Sequence, residues 1–277
     1  MKKTYVIAEI GINHNGSLEL AKKLILQSHE SGADAVKFQK RTIELVYTKE
    51  ELDRYRESPW GTTNRQQKQG LEFSIEEYRE LERYTTELGM DFIVSCWDIN
   101  SIDVVEKNLN VKYHKIASAL ATDKKFLEKL NETKKPIILS TGMCTKEQIK
   151  AAVKILDNVK IILACTSTYP TIPEEVNLRH IKTLSQTYPN LKVGFSNHYN
   201  GIDACVGAVV LGAECVEFHI TNDRTSYGSD QSASIENSDI LIDAIRKMEM
   251  MLGDGVKKVY ESEKPIAKKL RKNNDTI

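Results

Sequence analysis

Short apolar runs recur along the chain. Each is followed by a polar or glycine-containing turn, then by a stretch whose apolar residues fall three and four apart. The runs 5–10, 35–39, 91–96, 113–116, 136–140, 160–164, 192–196 and 215–220 predict strands. Several are rich in valine and isoleucine at consecutive positions, as strands buried on both faces are. Helices are predicted over 17–31, 75–88, 99–109, 124–133, 145–156, 178–188, 202–211 and 237–252. In the first, Leu18, Ala21, Leu24 and Ile25 fall on one stripe, with Ser17 placed to cap it. Eight strands, each followed by a helix, in 277 residues predict a (β/α)8 TIM barrel of class α/β, spanning 1–277 as a single domain. An open, doubly wound sheet is the alternative that the pattern leaves. Residues 41–74 are the longest irregular stretch, too long for a simple strand-to-helix turn. With Tyr55 and Trp60, they are expected to fold over the barrel mouth as a lid or to meet another subunit. Residues 261–277 read as a charged C-terminal tail.

Composition narrows the function classes. Lys plus Arg and Asp plus Glu both number 39, so no global basic field favours nucleic acid or an anionic membrane. No segment approaches the roughly 18–20 apolar residues needed to span a bilayer. The N-terminal run is interrupted by Glu9 and lacks a cleavage site, which argues against a signal peptide. The five cysteines are scattered, with no CxxC pair, and read as reduced core thiols. A cytoplasmic protein is expected.

The barrel reading makes a specific demand: reactive residues should gather at the C-terminal ends of the strands. They do. The first strand ends at Glu9, with Asn13 and His14 beyond it; the second carries Lys37 and Gln39. Ser95, Lys115, Ser118, Ser140 and Thr141 follow at the ends of the next three. Thr166, Ser167 and Tyr169 follow the sixth, Ser196, Asn197 and His198 the seventh, and His219 closes the eighth.

His198 and His219, on consecutive strands, suit a divalent metal with open positions, or else are two satisfied strand-end histidines. Lys37 and Lys115, among serines, suit a phosphorylated and carboxylated substrate. A Schiff-base lysine of an aldolase, or lysines whose heads simply reach solvent, remain open. Asp230 could bind a polyol hydroxyl or act as a base; the bland reading of 228–236 is a turn, with Ser234 or Asn237 capping the last helix.

The runs IAEIGINHNGS (7–17), GADAVKFQ (32–39), YHKIAS (113–118), KPIILSTGM (135–143), CTSTYPT (165–171), GFSNH (194–198) and EFHIT (217–221) resemble the sialic acid synthase family, in the family's order along nearly the whole chain. The resemblance implies condensation of phosphoenolpyruvate with an N-acylated amino sugar such as N-acetylmannosamine, giving a nonulosonic acid and phosphate. It implies that His198 and His219 bind Mn2+ or Mg2+, and that Lys37, Ser95, Lys115, Ser118, Ser140 and Ser196 hold phosphoenolpyruvate. Glu9, Gln39, Tyr169 and Asp230 would line the sugar side, with Ser167 also touching substrate. Glu9, Lys37, Lys115 and Asp230 are the residues expected to take part in the chemistry.

The chain departs from the family at three points. The family usually carries a C-terminal antifreeze-like domain, which gives an arginine to the neighbouring sugar site across a dimer; this chain is expected to lack it. Leu120 stands where N-acetylneuraminate-forming members tend to have an acidic residue, and the strand-seven motif reads SNH rather than SDH. The partners expected are therefore the two substrates and either a second copy of the chain or a separate chain bearing the missing domain. A barrel inactive without that chain is the further alternative.

Overall fold

The computed structural model describes residues 3–271. Its strands are β1 (Tyr5–Gly11), β2 (Ala35–Lys40), β3 (Tyr55–Ser58), β4 (Gly61–Thr63), β5 (Asp91–Cys96), β6 (His114–Ile116), β7 (Ile137–Ser140), β8 (Val159–Cys165), β9 (Lys192–Asn197) and β10 (Cys215–His219). Eight of them close a parallel barrel in the order β1-β10-β9-β8-β7-β6-β5-β2. Because β1 pairs with both β10 and β2, the open sheet is excluded. The eight predicted helices are present, shifted by a residue or two at their ends. In the first, Leu18–Glu30, the Ser17 hydroxyl accepts from the Leu20 N–H as expected. The last, Ser238–Leu252, differs: Asn237 occupies the cap position without a side-chain capping bond, and Ser234 donates instead to the Asp230 carbonyl.

Period-two alternation sorts each strand into two faces. Val6, Ala8 and Ile10 of β1 point outward and join the large core beneath the helices, while Ile7 points inward. The barrel interior is apolar only in its lower half, where Ile7, Ala35, Ile93, Ile138, Ile161, Leu163 and Cys215 pack together under Tyr5 and Tyr113. Tyr5 closes the bottom through a 2.6 Å hydrogen bond to Asp91. Two residues further along several strands the inward positions turn polar: Ile7 gives way to Glu9, Ala35 to Lys37, Ile93 to Ser95, Ile138 to Ser140 and Cys215 to Glu217.

The stretch 41–74 is not irregular. It forms the short helices Ile43–Val46, Lys49–Asp53 and Asn64–Leu71 around the antiparallel hairpin β3–β4. Thr48 and Thr63 begin two of these helices with capping boxes, a local signal present in TKEE and TNRQ. The excursion is seated by Trp60, whose ring lies flat on Gly70; a Cβ at Gly70 would stand 2.1 Å from Trp60 Cγ. Trp60 also meets Tyr227 edge-on at 5.8 Å, tying the excursion to the loop after β10. At the other end of the chain, part of the expected tail is helical: Lys264–Leu270 follows a 3-10 turn at Glu261–Glu263, and 272–277 lie outside the described residues. Among the described residues, no helix is long and apolar enough to cross a membrane.

Candidate active site

A cavity of about 580 Å³ opens at the C-terminal end of the barrel. It is lined by Glu9, Lys37, Gln39, Ser95, Lys115, Ser118, Ser140, Ser167, Tyr169, Ser196, His198 and His219. Of the residues expected to bind substrate or metal or to take part in the chemistry, only Asp230 lies outside this cavity; it lines an adjoining one that shares Gln39, Trp97 and Tyr169. Asn13 and His14 do not reach either. Asn13 donates to the Ile220 carbonyl and to Ser234, while His14 is buried and stacks on Phe73 at 4.2 Å, so both fasten loops. Thr141 bonds to the Leu163 carbonyl, Thr166 to the Glu175 carbonyl and Asn197 to the Tyr199 carbonyl.

The floor is an ionic cluster. Lys37 Nζ lies 2.8 Å from Glu9 Oε2 and 3.8 Å from Glu217 Oε2, and Lys115 Nζ lies 3.5 Å from Glu217 Oε1. All four residues are at most 5 % exposed. The two lysines are therefore not bare cations awaiting a substrate: two carboxylates already face them. Burial pushes Lys37 down, but Glu217 and Glu9 outweigh it and hold its pKa above the ordinary lysine value. Burial dominates at Lys115, with Lys37 adding to it, and its pKa falls below the ordinary value. Burial opposes ionisation of Glu217, yet Lys115 and Lys37 pull its pKa well below the usual carboxylate range.

Glu217 is the residue that the sequence reading missed. It was hidden inside the apolar run VEFH, although a strand places positions two apart on one face, so Glu217 and His219 had to point the same way.

Above this floor stand the serines. Lys115 Nζ donates to Ser140 Oγ at 2.7 Å, Ser196 Oγ donates to Glu217 Oε1 at 2.9 Å, and Ser95 Oγ donates to the Lys115 carbonyl. Gly142 N–H donates to Ser118 Oγ at 3.0 Å. A Cβ at Gly142 would stand 2.2 Å from Ser167 Oγ and 2.9 Å from Ser118 Oγ, so a larger residue there would push those hydroxyls aside. Cys165 belongs to this wall rather than to the core, unlike the buried Cys96, Cys205 and Cys215. Burial raises its thiol, but hydrogen bonds from His198, Ser118 and Ser167 draw it down to about 7.

His198 and His219 stand side by side, ring centroids 5.3 Å apart. His198 Nδ1 is 2.6 Å from the Thr166 carbonyl, which fixes the proton on Nδ1 and leaves Nε2 as the lone-pair nitrogen, 2.7 Å from the Tyr169 hydroxyl. A backbone carbonyl behind an imidazole is the usual support of a metal-binding histidine. His219 Nδ1 is buried without a hydrogen-bond partner and lies 3.6 Å from Asp230 Oδ2. Burial lowers the His219 pKa, whereas Cys165 and the Thr166 carbonyl outweigh burial at His198 and raise it. Among the described residues, no three His, Cys, Asp or Glu side chains stand together as a closed cage. One oriented imidazole and one with an orphaned nitrogen fit an open site completed by solvent or substrate.

A closed parallel barrel with its polar residues gathered at the C-terminal mouth is the architecture of a (β/α)8 enzyme. The chain belongs to the NeuB family, whose model matches residues 24–257, and is thus an enzyme of the sialic acid synthase family that the sequence resembles. It is 39% identical to the N-acetylneuraminate-9-phosphate synthase of Homo sapiens over 276 residues, 97% of this chain and 77% of that protein. It is 36% identical to the N,N'-diacetyllegionaminic acid synthase of Legionella pneumophila, over 97% of this chain and 79% of that one. The structure of an N-acetylneuraminic acid (sialic acid) synthetase from Leptospira borgpetersenii superposes with a TM-score of 0.83 at 28% identity, covering 98% of this chain and 93% of that chain.

Proposed function

We propose that the chain condenses phosphoenolpyruvate with an aldehyde-bearing amino sugar resembling N-acetylmannosamine, releasing phosphate and a nonulosonic acid. The observation that carries this reading is the meeting, in one cavity, of a serine-and-lysine anion cradle with a histidine pair. The names of the relatives, synthases of N-acetylneuraminate 9-phosphate and of diacetyllegionaminic acid, support it.

Lys37, Lys115 and the serines hold the phosphate and carboxylate of phosphoenolpyruvate, and Glu217 keeps both ammonium groups in place. Gln39, Tyr169 and Asp230 orient the sugar so that its aldehyde carbon meets C3 of phosphoenolpyruvate. The C–C bond forms there, water adds at C2, and cleavage of the C2–O bond expels phosphate. Holding both reactants in one geometry replaces a bimolecular encounter, an effect that reaches about 7–11 kcal/mol in well-oriented systems. His198 and His219 would hold the divalent metal, Mn2+ or Mg2+, which supplies Lewis-acid polarisation of the aldehyde oxygen. We take the reaction to run in the cytoplasm.

Phosphate release from phosphoenolpyruvate, measured with Mn2+ across amino sugars and plain aldoses, tests this directly. Release should require both sugar and metal and should stop with EDTA. A second reading comes from Lys115, whose lowered pKa suits an amine nucleophile. Incubation with pyruvate and borohydride should leave the chain's mass unchanged; a trapped adduct on Lys115, with no phosphate release, would replace the synthase reading by a Schiff-base aldolase.

The same reading makes 41–74 a lid over the sugar side of one barrel domain. Trypsin cleavage within 41–74 should fall when both substrates are bound. It should rise in Gly70→Ala, which forces Trp60 off its seat at about 1–3 kcal/mol of overpacking. Cleavage indifferent to substrates would remove the lid.

A further inference from the structure

Gln39 lines both the inner cavity and the second one, about 820 Å³, that continues outward past Trp97 and Tyr169. Its amide is held from two sides. Nε2 donates to Glu9 Oε1 at 2.6 Å, and Arg41 Nη2 donates to Oε1 at 2.5 Å. A guanidinium only donates, and a carboxylate facing Lys37 accepts, so one orientation of the amide satisfies both ends. Glu9 takes one hydrogen of the Gln39 NH2 group. The other is left for a ligand on the wall common to both cavities. The backbone beside this bond is shaped around it. β1 and β2 shift register between Glu9 and Gly11, and Gly11 sits at a φ of 54°. A Cβ there would stand 2.9 Å from Glu9 Oε1 and 3.0 Å from Gln39 Nε2.

Arg41 is itself fixed. Its guanidinium lies 4.0 Å from the centre of the Trp97 ring, its backbone N–H donates to Glu72, and its Nε is buried with no hydrogen-bond partner. Among the described residues, no carboxylate lies within salt-bridge reach of the guanidinium. Glu72 is held by Lys40 Nζ at 2.5 Å, and Asp230 faces His219. The charge is felt across the outer cavity, where Lys68 sits over the Tyr47 ring at 5.1 Å. Burial, then Arg41 and Arg56, push the Lys68 pKa down to about 8. A guanidinium without a counter-charge acts on the acceptor that it does have. Donation to Gln39 Oε1 polarises the amide and makes the N–H groups at its other end stronger donors.

We propose that Arg41 is a positioning residue of the condensation: it touches no reactant, but holds Gln39 so that the amide NH2 group donates to an oxygen of the amino sugar. This rests on the condensation reading above. Without Arg41, Gln39 Oε1 loses its donor, and the amide can swing away from Glu9 and turn its carbonyl to the sugar. An acceptor would then face the oxygen that a donor should meet.

The test is a double-mutant cycle on phosphate release from phosphoenolpyruvate, with Mn2+ and N-acetylmannosamine. Arg41→Met should lower kcat/KM for the sugar by about 10-fold or more, the scale of one hydrogen bond to a charged group, and leave KM for phosphoenolpyruvate within about 2-fold of the parent. Arg41→Lys should recover part of the loss, because an ammonium still donates to Gln39 Oε1. In a Gln39→Ala background, Arg41→Met should cost less than about 2-fold, since the group that it orients is gone. Calorimetric binding of the sugar to the phosphoenolpyruvate complex should follow the same pattern. Arg41→Lys in both backgrounds gives the same comparison if circular dichroism shows the methionine variant unfolded. A loss from Arg41→Met as large in Gln39→Ala as in the parent would overturn the positioning role and leave the condensation reading intact. So would an Arg41→Met variant as active as the parent. A parent chain that releases no phosphate with the sugar would sink the condensation reading, and the positioning role with it.

Discussion

Lys37→Met is expected to destabilise the fold by about 3–5 kcal/mol, the range found when one partner of a buried ion pair is removed. Methionine nearly preserves the shape of the lysine stem, so the loss comes from charge. Glu9, wholly buried, would keep only the Gln39 amide, 2.6 Å away, and Glu217 would keep Lys115 and Ser196. Urea unfolding measures the change, and a double-mutant cycle assigns it: Lys37→Met with Glu9→Gln should be more stable than Lys37→Met alone. Equal midpoints for Lys37→Met and the parent would show that the cluster does not hold the upper barrel together. The sign with pH follows from the raised pKa of Lys37. Its contribution is complete below roughly pH 10.4, the unfolded value, and disappears only as pH climbs through the folded one.

His219→Ala should act on the other axis. Sugar-dependent phosphate release should fall by about 1,000-fold or more, the scale of several kcal/mol of metal-ion assistance. The fold should survive, because His219 Nδ1 has no hydrogen bond to lose and the neighbouring ion cluster stays intact. Activity is read by phosphate release, integrity by circular dichroism, and metal affinity by calorimetry on parent and variant. An active variant would return His198 and His219 to the bland reading of two strand-end histidines. Set beside Lys37→Met, which removes an ion-pair partner and a substrate contact together, His219→Ala separates loss of activity from loss of stability.

Most of the barrel was legible because its strands are buried on both faces and announce themselves as short runs of valine and isoleucine. Most of the mouth was legible because a parallel barrel allows polar residues only where its strands end. What escaped did so for physical reasons. Glu217 looked like a break in an apolar run until its strand neighbours supplied Lys37, Lys115 and Ser196. Arg41 and Lys68 lie 27 positions apart in a stretch without hydrophobic periodicity, and the packing of the excursion, Trp60 on Gly70 included, brings them to one wall. Asn13 and His14 erred the other way: their place after β1 suggested chemistry, but the Asn13 amide donates to Ile220 and Ser234, and His14 stacks on Phe73, so both fasten loops.

The barrel's interior is divided, with seven apolar side chains below and charged or hydroxylic ones above. Mutational tolerance should divide along the same line. Outside the buried Glu9–Lys37–Glu217–Lys115 cluster, the upper side chains do not belong to the apolar group of the base, so they can be exchanged for a different acceptor without repacking it. A lineage of such barrels can change what it makes by substitution at the mouth and in the 41–74 excursion, while the floor drifts only among residues of similar volume. For a designer, Tyr5, Ile7, Ile93 and Ile138, with the ion cluster above them, are the positions to leave alone, and the hydroxylic wall and the 41–74 excursion are the parts to rewrite.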